Sequence, residues 1–401
     1  MRVSAWGTSV SRRSKLRIGV LFSVTGPYRT IGAAMRNGAL LAVAQINADD
    51  RFPFRLEVVE HDPGGRNPDY AGAARRMLAE QGLVHIVGCY TSSSRKEVLP
   101  LFEKHDGLLW YPSHYEGFES SDNVVYTGAA PNQHIVPLAE HLLRHYGTSA
   151  YCLGSNYIWA WENNKIMREA VLAAGGTVLA ERYVPVGETD LDGLVRQILD
   201  CRPSFIFNTL IGDSAYAFFR GIRRAASEQG IDLGRTMPVA SCSLAEPELV
   251  EIGAEAASGH LSSSVYFASL DTPANQAFVA AYCAAYPDAG PTSADAEASY
   301  IAVHLLARAV RRAGGADLNA VRSALPQVAL AAPQGEVRID RDNRHAYLTP
   351  RIGVSNHRFG FDVIYEAPAP VKPDPYLVWQ EVRVEARPQR RPANLRLVVR
   401  S

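Results

Sequence analysis

The residues of this 401-residue chain best equipped for chemistry sit where short apolar runs end. Gly88-Cys89-Tyr90-Thr91-Ser92-Ser93-Ser94 follows one such run, and Tyr111-Pro112-Ser113-His114-Tyr115 and Gly154-Ser155-Asn156-Tyr157 follow others. Asn208-Thr209, Gly212-Asp213-Ser214 and Ser241-Cys242-Ser243 occupy the same kind of position. A hydroxyl-rich turn that opens a helix leaves backbone N–H groups and hydroxyls free to take a carbonyl or carboxylate oxygen. Tyr90, Tyr111, Tyr115, Tyr157 and Trp159 add aromatic walls with polar tips, which suit a small, flat, uncharged ligand. Asp213, Glu246 and Glu116 are the acids in these loops. Each is expected to hold an ammonium, accept an amide NH₂, or only cap a helix. Thr91 to Ser94 read as N-caps of the next helix, with Arg95 and Lys96 on its solvated face.

Catalytic patterns are missing. No G-x-G-x-x-G follows a strand, and there is no G-x-x-x-x-G-K-[ST], H-E-x-x-H or G-x-S-x-G. The eleven histidines stand in no recognisable arrangement with an acid or cysteine, and the five cysteines show no metal-ligand spacing. The expectation is a binding protein with no cofactor and no metal.

The elements that must position these loops alternate. Ile18–Phe22, Leu56–Val59, Val84–Val87, Leu108–Tyr111, Ala150–Leu153, Phe205–Phe207 and Pro238–Ala240 are near-continuously apolar, as strands covered on both faces are. Amphipathic stretches such as Tyr70–Glu80, Ile135–Tyr146, Glu162–Ala174 and Ser214–Ala226 lie between them and predict helices. The pattern is that of β-α units building parallel α/β sheets, whose ligand crevice lies at the carboxyl ends of the strands. The loops should therefore converge.

Bulk properties narrow the function. Forty-one Lys+Arg against 41 Asp+Glu leaves no basic field for direct nucleic-acid binding. Charged residues or prolines interrupt every apolar run before the roughly 20 residues a membrane span needs, so no membrane insertion is expected. Widely separated cysteines favour a reducing, cytoplasmic setting. Ser11-Arg12-Arg13-Ser14-Lys15-Leu16 has a twin-arginine look, but no hydrophobic core and cleavage site follow it.

Several loops resemble a known family. Val87–Lys96, Leu108–Phe118 (LLWYPSHYEGF), Asn123–Gln133 (NVVYTGAAPNQ) and Gly154–Trp159, together with Asp62-Pro63-Gly64-Gly65 and Pro373-Asp374-Pro375-Tyr376, resemble the amide and urea branch of the type I periplasmic-binding-protein superfamily. Within it they are most similar to the AmiC-type amide-sensing negative regulators of aliphatic amidase operons. The resemblance runs from about residue 16 to 378.

It implies a two-lobed clamshell with three hinge crossovers: lobe one at 16–132 and 267–345, lobe two at 133–266 and 346–378, with 1–15 and the arginine-rich 379–401 as disordered ends. It implies a non-enzymatic, cytoplasmic sensor of a small aliphatic amide or urea that sequesters a response-regulator-like antitermination protein. The alternative is the solute-binding component of an ABC importer for urea or short amides, periplasmic if the native start differs. Homo-oligomers are compatible with either.

The implied pocket is Tyr90, Ser92, Tyr111, Ser113, Tyr157 and Trp159, with Asp213 and Glu246 as candidate acids. The Ser92 hydroxyl would bind the polar end, and Tyr111, Tyr157 and Trp159 would wall the alkyl group. His114, Trp159 and the stretches 207–214 and 243–246 depart from the amide-regulator pattern.

Overall fold

A computed structural model describes residues 13–378. The chain builds one sheet, leaves it for a second, and returns twice. The first stretch carries β1 (Ser14–Leu21), α1 (Arg29–Ala48), β2 (Phe54–His61), α2 (Asn67–Arg75), β3 (His85–Gly88), α3 (Ser92–Lys104), β4 (Leu108–Tyr111) and β5 (Val124–Tyr126). Its strands pair all-parallel in the order β2-β1-β3-β4-β5. β3 and β4 are buried at every position, because helices cover both faces. β1 already pairs at Ser14 and Lys15, which the sequence reading put in the leader.

The second sheet follows. It takes α4 (Ile135–His145), β6 (Ser149–Ser155), α5 (Ile158–Ala173), β7 (Thr177–Val184), α6 (Asp192–Cys201), β8 (Phe205–Thr209), α7 (Gly212–Glu228), α8 (Leu233–Thr236), β9 (Val239–Ser241), α9 (Glu246–Ile252), α10 (Ala254–Ala257) and β10 (Leu261–Ser264). The chain then contributes α11 (Pro273–Ala285), α12 (Ala294–Ala313), α13 (Leu318–Ala324) and the hairpin β11 (Ala329–Ala332) and β12 (Gly335–Arg338). It closes with β13 (Arg351–Ser355) and β14 (Phe361–Glu366), antiparallel at the edge of the order β14-β13-β10-β9-β8-β6-β7.

α12 belongs to the first sheet's layer although it comes late in sequence. It lies along α1 so closely that a Cβ on Gly38 would sit 2.0 Å from the Ala296 carbonyl oxygen, and only glycine permits that approach. The three stretches between the sheets lie together. Thr127 donates to the Ala298 carbonyl at 3.1 Å, Ser263 to that of His134 at 2.7 Å, and the His345 ring stacks on Tyr126 at 4.0 Å. The last described segment, 371–378, packs on 115–132: Phe118 N–H donates to Pro375 O at 2.8 Å, and Asn132 Nδ2 to Lys372 O at 2.8 Å. The basic tail from residue 379 lies outside the described residues, as does the twin-arginine stretch up to Arg12. Among the described residues no helix is long and apolar enough to cross a membrane, and no His/Cys/Asp/Glu group is arranged to hold a metal.

Candidate functional site: the closed cleft between the sheets

The strand-end loops do converge, and the two halves meet over them. Asp213, in the first turn of α7, donates its N–H to Pro27 O at 3.1 Å and takes an ion pair from Arg29 at 3.2 Å. Thr30 Oγ1 donates to Glu251 Oε1 at 3.1 Å. The mouth of the cleft is therefore shut by contacts from the first turn of α1 to α7 and α9. At the hinge end a void of about 20 Å³ remains, lined by His114, His134, Cys242, Ser263 and Asp295 among others. That is room for about one water molecule.

The candidate residues fall into three groups. Tyr90, Tyr157 and Trp159 form the wall with Tyr28: the Tyr28 and Tyr90 rings lie 5.4 Å apart, and Tyr157 stacks on Trp159 at 6.1 Å. Trp159 also meets His114 edge-on at 5.3 Å, and its Nε1 is buried without a partner. Behind them Tyr111 is fully buried and donates its hydroxyl to Tyr90 O at 2.8 Å, so it braces the wall. Ser113 is buried, its hydroxyl turned to the His114 carbonyl at 3.3 Å.

Ser92 is the clearest correction. Its hydroxyl hydrogen-bonds Glu116 and accepts from Arg95 Nη1 at 3.2 Å, so it faces the lobe interior and is already committed. Thr91 caps α3, accepting from Ser94 N–H at 3.1 Å. Arg95, expected on a solvated face, is wholly buried, ion-paired to Glu116 at 3.1 Å and Glu119 at 2.7 Å, and sandwiched 4.7 Å from the Tyr111 and Tyr115 rings. Burial opposes its charge, but the two glutamates outweigh that and hold its pKa well above the ordinary value. The helix places residues 92 and 95 on one face, and that face is the inner one. Lys96 lies on the outer side and stays partly exposed.

Of the candidate acids, Asp213 serves as the interlobe latch and Glu116 neutralises Arg95. Glu246 is buried and accepts the Ala268 N–H at 2.7 Å, which ties α9 to the second crossover. The sequence reading missed Glu248, Asp295, Tyr28 and Tyr216. Glu248 lies two residues along the same short helix, and Asp295 sits just inside the N-terminus of α12. Nothing in a linear reading marks α12 as part of the cleft, because Asp295 lies 138 residues beyond Tyr157 in the last of the tyrosine loops.

These acids interact. Burial pushes Glu246 to about 7, Glu248 to about 8 and Asp295 to about 7, and Asp295 raises both glutamates further. Both Glu248 and Asp295 are felt by Tyr90. Among the described residues no Lys or Arg pairs with any of the three; the neighbour of Asp295 is His114, at 3.8 Å. His114 itself is pushed down to about 3 by burial and by His134, so it stays neutral. Three buried carboxyl groups without a cation, of which Glu246 and Glu248 each accept one backbone N–H, from Ala268 and Ala245, lie near the unpartnered Trp159 Nε1 and Tyr216 hydroxyl and keep lone pairs for hydrogen-bond donors from a guest.

Comparison with known proteins agrees with this geometry. A profile described as periplasmic binding protein domain matches residues 16–382. The chain is similar to "Leu/Ile/Val-binding protein homolog 6" of Brucella abortus, 22% identical over 351 residues, covering 86% of this chain and 88% of that one. It is also 23% identical over 346 residues to the leucine-, isoleucine-, valine-, threonine- and alanine-binding protein of Pseudomonas aeruginosa, covering 85% and 90%. Among solved structures, a Rhodopseudomonas palustris solute-binding protein in complex with p-hydroxybenzoic acid superposes with TM-score 0.80 at 20% identity, over 92% of this chain and 100% of that one. LivJ of Streptococcus pneumoniae in complex with isoleucine gives 0.76 at 20%, over 90% and 100%. With two α/β lobes closing on a shared cleft and a profile match over nearly its whole length, the chain belongs to the periplasmic binding protein family, and is a binding protein rather than an enzyme.

Proposed function

We propose that the chain is the solute-binding receptor of an ABC importer, closing its lobes over a small solute that presents N–H groups. The observation that carries this reading is the meeting of Glu246, Glu248 and Asp295 in one aromatic cleft with no Lys or Arg among them. A guest bearing only a carboxylate, such as a benzoate, would find no cation there, and would meet like charge once these acids ionise toward pH 8. An ammonium or an amide NH₂ finds acceptors. The tyrosine wall and the tightness of the closed cleft favour the smallest such solutes, a short aliphatic amide or urea; the names of the curated relatives favour a branched-chain amino acid.

Calorimetric titration of ligand-stripped protein with acetamide, butyramide, urea, leucine and 4-hydroxybenzoate separates these. Heat with an amide, urea or leucine is the expected result. Heat with 4-hydroxybenzoate alone would overturn the reading.

A second role keeps one specific support, the likeness of the loops at 87–96, 108–118 and 123–133 to amide-sensing regulators. There the solute would shift the lobes and release an antitermination protein, which requires it to bind one lobe arrangement better than the other. Amide-dependent loss of a complex with a co-expressed antiterminator would favour that role. The cellular location goes with the choice: outside the inner membrane for the receptor, inside for the sensor.

A further inference from the structure

Away from the cleft mouth, lobe two carries a groove of about 710 Å³ between α7 and the corner of α9 and α10, lined by Arg220, Arg223, Arg224, Glu228 and Glu255 among others. The spacing 220, 223, 224 puts three guanidinium groups on one face of α7. In a chain of zero formal charge this is a local concentration. Among the described residues Arg220 and Arg223 form no ion pair. Arg220 donates to the Glu251 carbonyl at 2.8 Å and Arg223 to the Ser258 carbonyl, while Arg223 Nε is buried without a partner. Arg224 pairs with Asp192 at 3.4 Å, both largely exposed, which is a weak and easily exchanged contact. Half-burial lowers the pKa of Arg223, so its charge is held in part at the expense of solvation. An incoming carboxylate would relieve that, since guanidinium forks take carboxylates two bonds at a time.

The groove is joined to the ligand cleft through one short helix. α9 carries Glu246 and Glu248 in the cleft, and its last residues hold Glu251, whose side chain receives Thr30 from the other lobe and whose carbonyl receives Arg220. Parting the lobes would break the first of these bonds, and a shift of α9 against α7 on its loss is what would carry closure to the groove. We propose that this arginine-lined groove docks an acidic segment of a partner protein and takes it better when the lobes are closed. Glu228 and Glu255 at the rim would set its register by repelling acidic side chains there. The coupling to closure rests on the cleft being the solute site; the docking does not.

The test uses the full chain and a fluorescently labelled hexaglutamate peptide, read by anisotropy with and without the solute found by titration. The peptide is expected to bind, more weakly as salt rises. Arg220→Gln with Arg224→Gln, both exposed, should weaken it about tenfold or more. Arg235→Gln, exposed elsewhere on lobe two, should leave it unchanged. No binding, equal loss in Arg235→Gln, or displacement by inorganic phosphate at concentrations comparable to the peptide would overturn the proposal, the last by showing a free-anion site. Peptide binding that ignores the solute would remove the coupling while leaving the docking intact.

Discussion

Arg29 and Asp213 face each other across the cleft at 3.2 Å, one from the first turn of α1 and the other from the first turn of α7. The pair exists only while the lobes are closed. Both side chains remain partly exposed, at 49% and 36%, so water and salt screen the attraction, and exposed pairs of this kind contribute about 0–1 kcal/mol. Arg29→Ala is therefore expected to weaken solute affinity by no more than about fivefold. A hundredfold loss in calorimetry would mean that Arg29 touches the solute itself.

Gly212 tests closure more severely. It adopts φ +57, and a Cβ there would lie 2.0 Å from the Pro27 carbonyl oxygen of the opposite lobe. Gly212→Ala combines about 1 to 2 kcal/mol of left-handed strain with a collision that only opening relieves. Small-angle scattering should show a larger radius of gyration even with solute present, and affinity should fall by more than about tenfold. Unaltered scattering would show that the lobes close by another path.

The buried acids give a pH dependence of definite sign. Glu246, Glu248 and Asp295 have folded pKa values raised to about 7, 8 and 7 by burial. The folded, closed state then holds protons that the unfolded chain has released. Their stability contribution is complete below the unfolded carboxylate range and is lost as pH rises toward 8. Solute-free protein should melt at a higher temperature near pH 7 than near pH 8.5, and Glu248→Gln should flatten the slope; below about pH 6.5 the buried histidines, held neutral by burial, lower stability in the opposite direction. A melting temperature that climbed over that interval would contradict the burial of these groups. An ammonium-bearing solute would compensate the ionised acids, so its affinity should rise over the same window.

Trp159 sets the depth of the wall, stacked on Tyr157 and edge-on to His114. Replacing it by the smaller tyrosine should favour longer solutes: butyramide over acetamide, or isoleucine over alanine, whichever class binds. One methylene in such a pocket is worth about 1 to 3 kcal/mol, so a shift of tenfold in the ratio is measurable. No change in the ratio would place Trp159 behind the pocket.

Arg95 predicts a stability effect with no ligand involved. Removing its guanidinium leaves Glu116 and Glu119 facing each other beside Tyr111 and Tyr115. Arg95→Leu should cost about 3 to 5 kcal/mol, the usual result of breaking a buried pair on one side. Denaturant unfolding checks this, and a loss below about 1 kcal/mol would mean that water enters the network.

Local rules sufficed for much of this protein. Continuous apolar runs such as Leu108–Tyr111 read as strands covered on both faces and the hydroxyl-rich turn at Thr91 as a helix start, and both form, whereas Tyr111 and Tyr115 at a strand end turn inward onto Arg95. The strands and the helix start depend on neighbours a few residues away, and the sequence by itself determined them. The tertiary structure decided what depends on partners far along the chain. Whether Ser92 and Arg95 face solvent or the interior turns on Glu116 and Glu119, more than twenty residues later in an irregular loop. Whether Asp213 binds solute or locks the lobes turns on Arg29, 184 residues earlier. Asp295 reaches the cleft only because α12 packs on α1 through Gly38, and it shares that cleft with Glu248 only because the lobes close. A carboxyl group's role is set by the charges and water around it, and here those are supplied by segments that only folding brings together.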